Sequence, residues 1–430
     1  MKFSELNEKE FEEFAKKNEE ITFHQTKEWA ALKKGNGWDA YYVGLKEKDK
    51  VIAAALMLSK TVPLIKKKMF YSPRGFLIDY HDKKLLKAFT EGIKKFAKEK
   101  KAIFVKIDPY VMYQERDING DIVKEGKENK AVVQNLKDLG YKHFGFNTMQ
   151  DTLQPRWIHT ITTENKTIED IMKDMDPKTR QILRKNERLG VKTREIKREE
   201  IPIFKEIMQH TGERREFIDR PLSYYEHMWD SLHDAGILKI LIAEVDFEEE
   251  IKNTKKQIKQ LEEEIAKRKE QFEKKEKPMN EAKYNKKQEA DQKEVERLKQ
   301  NIEKAQEQEA KYGKKTVLGG ILFLVYGNEV LSLYGGSKKE LMNFQSAYTL
   351  HFAGIKYALD HHYKLYNFYG ITGDFSENNP LLGLYLFKKS FGGQVVELIG
   401  EFDLIISPFW YHVYHFSYNL YHKLKNIRKK

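Results

Sequence analysis

The sequence predicts an α+β protein of two similar units, with an antiparallel helical hairpin inserted in the second. Three observations predict it. A strand pair, a turn, a helix and a strand recur in the same order in each half of the chain. From about Glu250 to Lys315 the composition shifts abruptly to Glu, Lys and Gln around a heptad seam. At 430 residues and 40% hydrophobic content the chain is also too long for one ordinary core.

In the first half the elements are the strand pair "WDAYYVGLKEKDKVIAAALMLSK", the turn-bearing "FYSPRGFLID", a helix from about Lys83 to Lys100, and the strand "KAIFVKIDP". The second half repeats them as "ILKILIAEVD", "TVLGGILFLVYGNEVLSLYGG", a helix from about Gln345 to His362, and "KLYNFYGITGD". Segments 161–172 and 176–190 read as helices that open the second half, with Gly190 as the stop. In the inserted segment Ile251, Thr254, Ile258, Leu261, Ile265, Arg268 and Phe272 alternate spacings of three and four. The pattern stops at Pro278 and resumes with Val295, Leu298, Ile302 and Ala305. Two antiparallel helices turning near Pro278 and Asn280 are expected. The expected division is 1–160 for the first unit, with 395–430 as candidates for its last elements. It continues with 161–249 and 316–400 for the second unit and 250–315 for the arm.

A formal charge of +12, from 78 Lys+Arg against 66 Asp+Glu, favours polyanionic partners. The arm itself carries 20 basic and 15 acidic residues, too even a mixture for a phosphate-binding ridge. With no cysteine, disulfide and thiol chemistry are excluded. None of the 13 histidines falls in a metal-ligand spacing, so no metal site is expected. The start "MKFSELNEKEFEEFAKK" lacks the apolar segment of a secretory signal, and a cytoplasmic protein is expected. The tail "SPFWYHVYHFSYNLYHKLKNIRKK" is aromatic first and basic last. It suits either a helix docked on its own domain or contact with an anionic bilayer.

Some side chains stand out chemically. In "LLGLYLFKKSFGG" Lys388 and Lys389 close a helix on glycine, where cations suit the negative end of the helix dipole. The second reading points one lysine at a charged intermediate. Asp108 in "KIDP" is either a turn residue before proline or a buried carboxylate tuned to accept a proton. Arg215 and Arg220, with Arg214 beside them in "TGERREFIDR", offer planar donors to phosphate, or ion pairs to Glu213, Glu216 or Asp219. Tyr334 and Tyr369, each before glycine at a strand end, line a channel or fill a core. Gly335 and Gly336 would let a ligand approach the backbone.

Nine stretches in order, "HQTKEWAALKKGNGW", "FYSPRGFLIDY", "KIDPYV", "GFNTMQDTLQPRW", "TGERREFIDR", "LYGGSKKELMNFQSAYTLHFAGIKYA", "YNFYGITGD", "LFKKSFGG" and "GEFD", together resemble the Fem family of non-ribosomal peptidoglycan peptidyltransferases. The resemblance implies two tandem domains similar to Gcn5-type N-acetyltransferases, the second interrupted by a coiled-coil arm. It implies transfer of a small amino acid, glycine, serine or alanine, from aminoacyl-tRNA to the stem-peptide side-chain amine of lipid II or a related muramyl-peptide precursor. That step starts the interpeptide bridge; extension of an existing bridge is the alternative, and a non-enzymatic nucleic-acid or membrane-binding protein is the rival from another class. No cofactor is implied, and a related Fem protein is a candidate partner. By the same resemblance Lys33 and an arginine near Arg215 and Arg220 contact the precursor's diphosphate, Phe387 packs against the site and Lys388 faces the ester.

Overall fold

The computed structural model describes residues 1–430 apart from 19–20, 64, 150–151, 216, 275–279 and 428–430, with backbone alone over 418–427. Two mixed sheets organise the chain. In spatial order the first contains β1 (Lys2–Glu5), β2 (Asp39–Glu47), β3 (Lys50–Val62), β4 (Lys67–Ser72), β5 (Ala102–Ile107), β15 (Phe402–Ile405) and β7 (Tyr141–His143). The second contains β6 (Met112–Glu115), β14 (Gln394–Leu398), β8 (Trp157–Thr162), β13 (Leu365–Gly370), β12 (Glu329–Ser337), β11 (Lys315–Tyr326), β10 (Leu238–Asp246) and β9 (Lys192–Glu195).

The repeat in the sequence is a repeat in space. β4 and β5 are parallel and joined by the helix Lys83–Glu99; β12 and β13 are parallel and joined by the helix Ser346–Asp360. An antiparallel meander precedes each pair, which is the plan of an N-acetyltransferase-like unit. The strand beyond each pair comes from far along the chain. β15, near the C-terminus, lies beside β5, while β8 lies beside β13. The strand β6, from the first half of the chain, sits at the edge of the second sheet.

Leu86, Phe89, Ile93 and Phe96 recur on one side of the first helix and bury against Phe70 and Val105. A further core joins the units. Leu56 and Leu58 of β3 pack with Leu322 and Leu324 of β11, together with Trp29 and Trp229. The two sheets are therefore braced against each other by buried apolar surface.

Segment 161–172, read as a helix, is a correction. Its first residues extend β8, and the helix runs Ile168–Asp174. The run Thr160–Thr163 is β-branched throughout and favours a strand, whereas Thr167 and Asp170 form a reciprocal capping box that starts the helix.

The arm comprises helices Phe247–Glu273 and Glu281–Tyr312. Ile258, Leu261, Ile265, Val295, Leu298 and Ile302 form its seam. At the imperfect position Arg268 pairs with Asp291 at 2.7 Å, and farther out Phe272 stacks on Tyr284. The second helix begins at the N-cap Asn280, well before the apolar pattern resumes at Val295, because ion pairs and an aromatic stack hold that stretch instead of aliphatic side chains. Pro278 lies outside the described residues. Among the described residues no helix is long and apolar enough to cross a membrane.

Candidate active site

The ends of β5 and β13 and the helix Lys27–Gly35 bring several of the predicted side chains to the junction of the two units. Thr26 caps that helix by accepting from Trp29 N–H at 3.1 Å. One turn on, Lys33 lies over the Trp29 ring, 4.4 Å from its centroid. Burial lowers its ammonium to about 8, and Arg220 and then Lys60 push in the same direction. Three cations thus face one another. Among the described residues none of the three has a carboxylate within ion-pair distance, so the cluster is suited to an anion from outside the chain.

Beside it the β4–β5 end closes on Asp108. Its Oδ1 accepts from the Arg74 backbone N–H at 2.8 Å, and Arg74 holds φ +60° there. Asp108 Oδ2 is buried near the Tyr71 hydroxyl, with the Arg74 guanidinium 3.7 Å away, and among the described residues none completes a well-formed hydrogen bond to it. Burial outweighs Arg74 and raises the carboxyl to about 7. Arg74 also donates to Pro155 O at 3.2 Å and lies over the Tyr110 ring.

The β12–β13 end supplies the opposite wall. Tyr369 adopts φ +65° at an irregularity in β13, its N–H donates to Asn367 Oδ1 at 2.8 Å, and its hydroxyl donates to Gln154 Oε1. Tyr334 meets Tyr225 edge-on, ring centroids 6.0 Å apart, while Arg220 lies over Tyr224 next in the chain. Under this wall Lys388 is 7% exposed. Its Nζ donates to the carbonyls of Phe368 and Gly370, at 2.7 Å each, on either side of Tyr369. Burial lowers its ammonium to about 7. Nearby His159 and His351 are kept neutral, also mainly by burial, at about 4 and about 3.

The junction therefore gathers Lys33, Arg220, Asp108, Tyr334 and Tyr369, with Lys388 bonded to the strand that carries Tyr369. Two predicted residues are placed elsewhere. Arg215 is exposed at the end of the helix Ile201–Arg215. Phe387 packs into the second unit's core against Tyr348, His351 and Phe391. Lys389 bonds Asn119 at the surface. Of the carboxylates considered for the arginines, Asp219 takes Lys205 and Tyr225 as partners, and Glu216 lies outside the described residues. Arg156 is structural, pairing with Glu397.

The reading of Gly336 as an opening for ligand is corrected. A Cβ there would sit 2.1 Å from Thr211 Oγ1, so the space belongs to the helix Ile201–Arg215. Gly336→Ala should cost about 1–3 kcal/mol in denaturant unfolding through overpacking; an unchanged midpoint would show that the helix can give way.

Sequence reasoning missed Glu329. Its Oε2 accepts from Tyr110 at 3.1 Å and from Asn367 at 2.9 Å, its Oε1 is buried without a partner among the described residues, and burial raises its carboxyl. A glutamate in a hairpin turn carries no sign of partners 219 and 38 residues away. A cavity of about 320 Å³ lies apart from this network, lined by Thr162, Lys166 and Gly392–Gln394, and contains none of the predicted side chains.

The FemAB family model matches residues 6–419. The chain belongs to the FemAB family. Over 431 residues, the whole of both chains, this FemAB protein is 32% identical to the aminoacyltransferase FemA of Staphylococcus epidermidis. It is 31% identical over 404 residues to the aminoacyltransferase FemA of Staphylococcus aureus strain N315, with 94% of each chain covered. The crystal structure of FemX superposes with a TM-score of 0.80 at 29% identity, covering 96% of this FemAB chain and 99% of FemX.

Proposed function

We propose that this protein moves glycine, serine or alanine from aminoacyl-tRNA to the stem-peptide side-chain amine of lipid II, starting the interpeptide bridge of peptidoglycan. The observation that carries the reading is the junction itself: an unpaired cluster of Lys33, Lys60 and Arg220 stands beside a wall of tyrosines backed by a buried lysine. The names of the FemA relatives support aminoacyl transfer, and the fold supports the amide-forming chemistry.

Lys33 and Arg220 hold the precursor's diphosphate, where charge-assisted donors gain most from an anion that brings no counter-ion of its own. Tyr334 and Tyr369 line the path of the stem peptide. The amine forms a C–N bond to the ester carbonyl, the carbonyl oxygen takes up negative charge, and the C–O bond to the tRNA ribose breaks. Lys388 places a positive charge behind Tyr369 to stabilise that oxygen. Asp108 is the acceptor for the ammonium proton, its Oδ2 beside the Tyr71 hydroxyl and its carboxyl raised to about 7, near working pH. The ribose oxygen leaves with a proton, so no covalent enzyme intermediate is required. The arm supports tRNA or a related Fem protein.

The test is a transfer assay with lipid-linked disaccharide-pentapeptide and tRNAs charged separately with the three amino acids, read by mass spectrometry. One added residue is expected, and Lys33→Ala and Arg220→Ala should each raise KM for the precursor about tenfold or more with a smaller change in kcat. No gain with any donor, including on a precursor that already carries one residue, would overturn the reading.

A further inference from the structure

The loop that follows the helix Ile201–Arg215 exposes two apolar side chains between pinned neighbours. Ile218 is 86% exposed and Phe217 43%. Before them, Phe217 N–H donates to Gly212 O at 3.1 Å, and a Cβ on Gly212 would come within 2.9 Å of Phe217 O. After them, the Asp219 carboxylate binds Lys205 at 2.5 Å and the Tyr225 hydroxyl at 2.6 Å. The backbone is thus anchored on both sides while Ile218 points to solvent. Folding gains nothing from burying this residue, and a fixed exposed aliphatic tip calls for an outside partner.

The surroundings are cationic. Arg214, Arg215 and Arg220 flank the tip, and among the described residues none of them has a carboxylate within ion-pair distance. Arg214 lies against Met342, which is 48% exposed. Next to Arg220 come Lys33 and Lys60. Two residues beyond Lys60 on β3, and so on the same face of the strand, Val62 packs with Ile65, Met69 and Trp410. Trp410 opens the C-terminal helix Pro408–Ile427, where Phe409 is 69% exposed and Lys67 lies over the Trp410 ring. One exposed apolar tip thus lies two residues from Arg220, and a second, Phe409, lies on the helix that packs against β3 two residues beyond Lys60.

We propose that Phe217–Ile218, with Phe409 as a second anchor, forms a docking surface for an anionic lipid bilayer. The inference rests on the proposed lipid-linked substrate, because a diphosphate held by Arg220 carries its lipid tail two residues from Ile218. Exposed Ile and Phe inserted at the headgroup boundary, with arginines left at the anionic surface, match the chemistry of such an interface. Nucleic acid is a poorer match, since an aliphatic tip offers a base neither a stacking face nor a hydrogen bond.

The full-length protein would be cosedimented with phosphatidylcholine vesicles and with vesicles that also contain phosphatidylglycerol. Salt-sensitive binding to the anionic vesicles is expected. The paired substitution Phe217→Ser with Ile218→Ser should lower the partition about tenfold or more, the effect of withdrawing large apolar side chains from lipid. Phe409→Ser should lower it independently, and both variants should melt as wild type. Transfer to a water-soluble muramyl-pentapeptide nucleotide should be unchanged in both. Wild-type protein left in the supernatant, or variants that partition as wild type, would overturn the proposal, as would a loop variant that loses tRNA affinity while keeping its lipid binding. Vesicle binding needs no turnover. Loop-dependent partition in a protein that transfers nothing would sink the proposed reaction and still support the bilayer contact.

Discussion

Lys388→Met is expected to lower transfer roughly 10²–10³-fold, the loss typical of removing one preorganised charge partner of a transition-state oxyanion. It should also change how stability depends on pH. The Lys388 ammonium is lowered from 10.5 to about 7 by burial, and the two histidines nearby carry no compensating negative charge. Below about pH 7 the group is charged in both folded and unfolded chains, so the full cost of burying it is present. Between about 7 and 10.5 only the unfolded chain holds the extra proton, so this group's contribution to stability becomes more favourable as pH rises. The gain across that window is on the order of a few kcal/mol. Methionine, similar in length and uncharged, removes it. The catalytic dependence differs: transfer needs the Asp108 carboxylate, which forms as pH rises through about 7, and the Lys388 ammonium, which is lost over the same range, so wild-type transfer should peak near pH 7 and fall above it while stability climbs. Denaturant unfolding and single-turnover transfer, each followed from pH 6 to 10, separate the two. Near-wild-type turnover in Lys388→Met would leave the lysine as a brace for the irregular strand around Tyr369.

What could be read from the sequence was whatever is recorded locally. The heptad seam from Ile251 to Phe272 reports its own helix, and the alternation of "WDAYYVGLKEKDKVIAAALMLSK" reports its hairpin, because the neighbours that enforce the pattern lie within a few residues. That β6 and β8 both belong to the second sheet could not be read, since nothing in "MYQE" or "WIHTIT" says which sheet it meets. The site divides the same way. Lys33 and Trp29 are one helical turn apart, a spacing that puts them on one face, whereas Asp108 with Arg74, and Glu329 with Tyr110, become partners only when the sheets close. Lys388 shows the limit most clearly. Its place at a helix end is local, but its two carbonyl partners belong to a strand some twenty residues earlier, bent by the left-handed Tyr369. Phe387, beside it in sequence, faces the core on another side of the same helix.

Glu397→Ala should be the most destabilising single change, by about 3–5 kcal/mol, because it strands buried charge. The carboxylate is 3% exposed on β14, between β6 and β8. It accepts from Arg116 Nε at 2.8 Å and Gln114 Nε2 at 3.0 Å, and it pairs with Arg156, whose side chain is almost fully buried. One acid thus satisfies side chains from the two strand segments that flank it, including the edge strand supplied by the first half. Without it, among the described residues, the Arg156 guanidinium keeps only Asn147 O, at 3.0 Å, and the flanking rings of Phe146 and Trp157. Glu397→Gln should fall between, keeping an acceptor but not the charge. Pairing Glu397→Leu with Arg156→Met should recover part of the loss, since the change then removes both members of the pair. The damage should also reach the site. Arg156 follows Gln154 and Pro155 in the chain, and these two hold the Tyr369 hydroxyl and the Arg74 guanidinium. A loosened Arg156 shifts both contacts together, so transfer by Glu397→Gln should fall even at temperatures where the variant is fully folded. Denaturant unfolding gives the first quantity and initial rates well below the melting transition give the second. A Glu397→Ala midpoint within about 1 kcal/mol of wild type would mean that water reaches Arg156 and relieves it. In that case Gln154 and Pro155 are held by the sheet, and the rate should survive along with the stability.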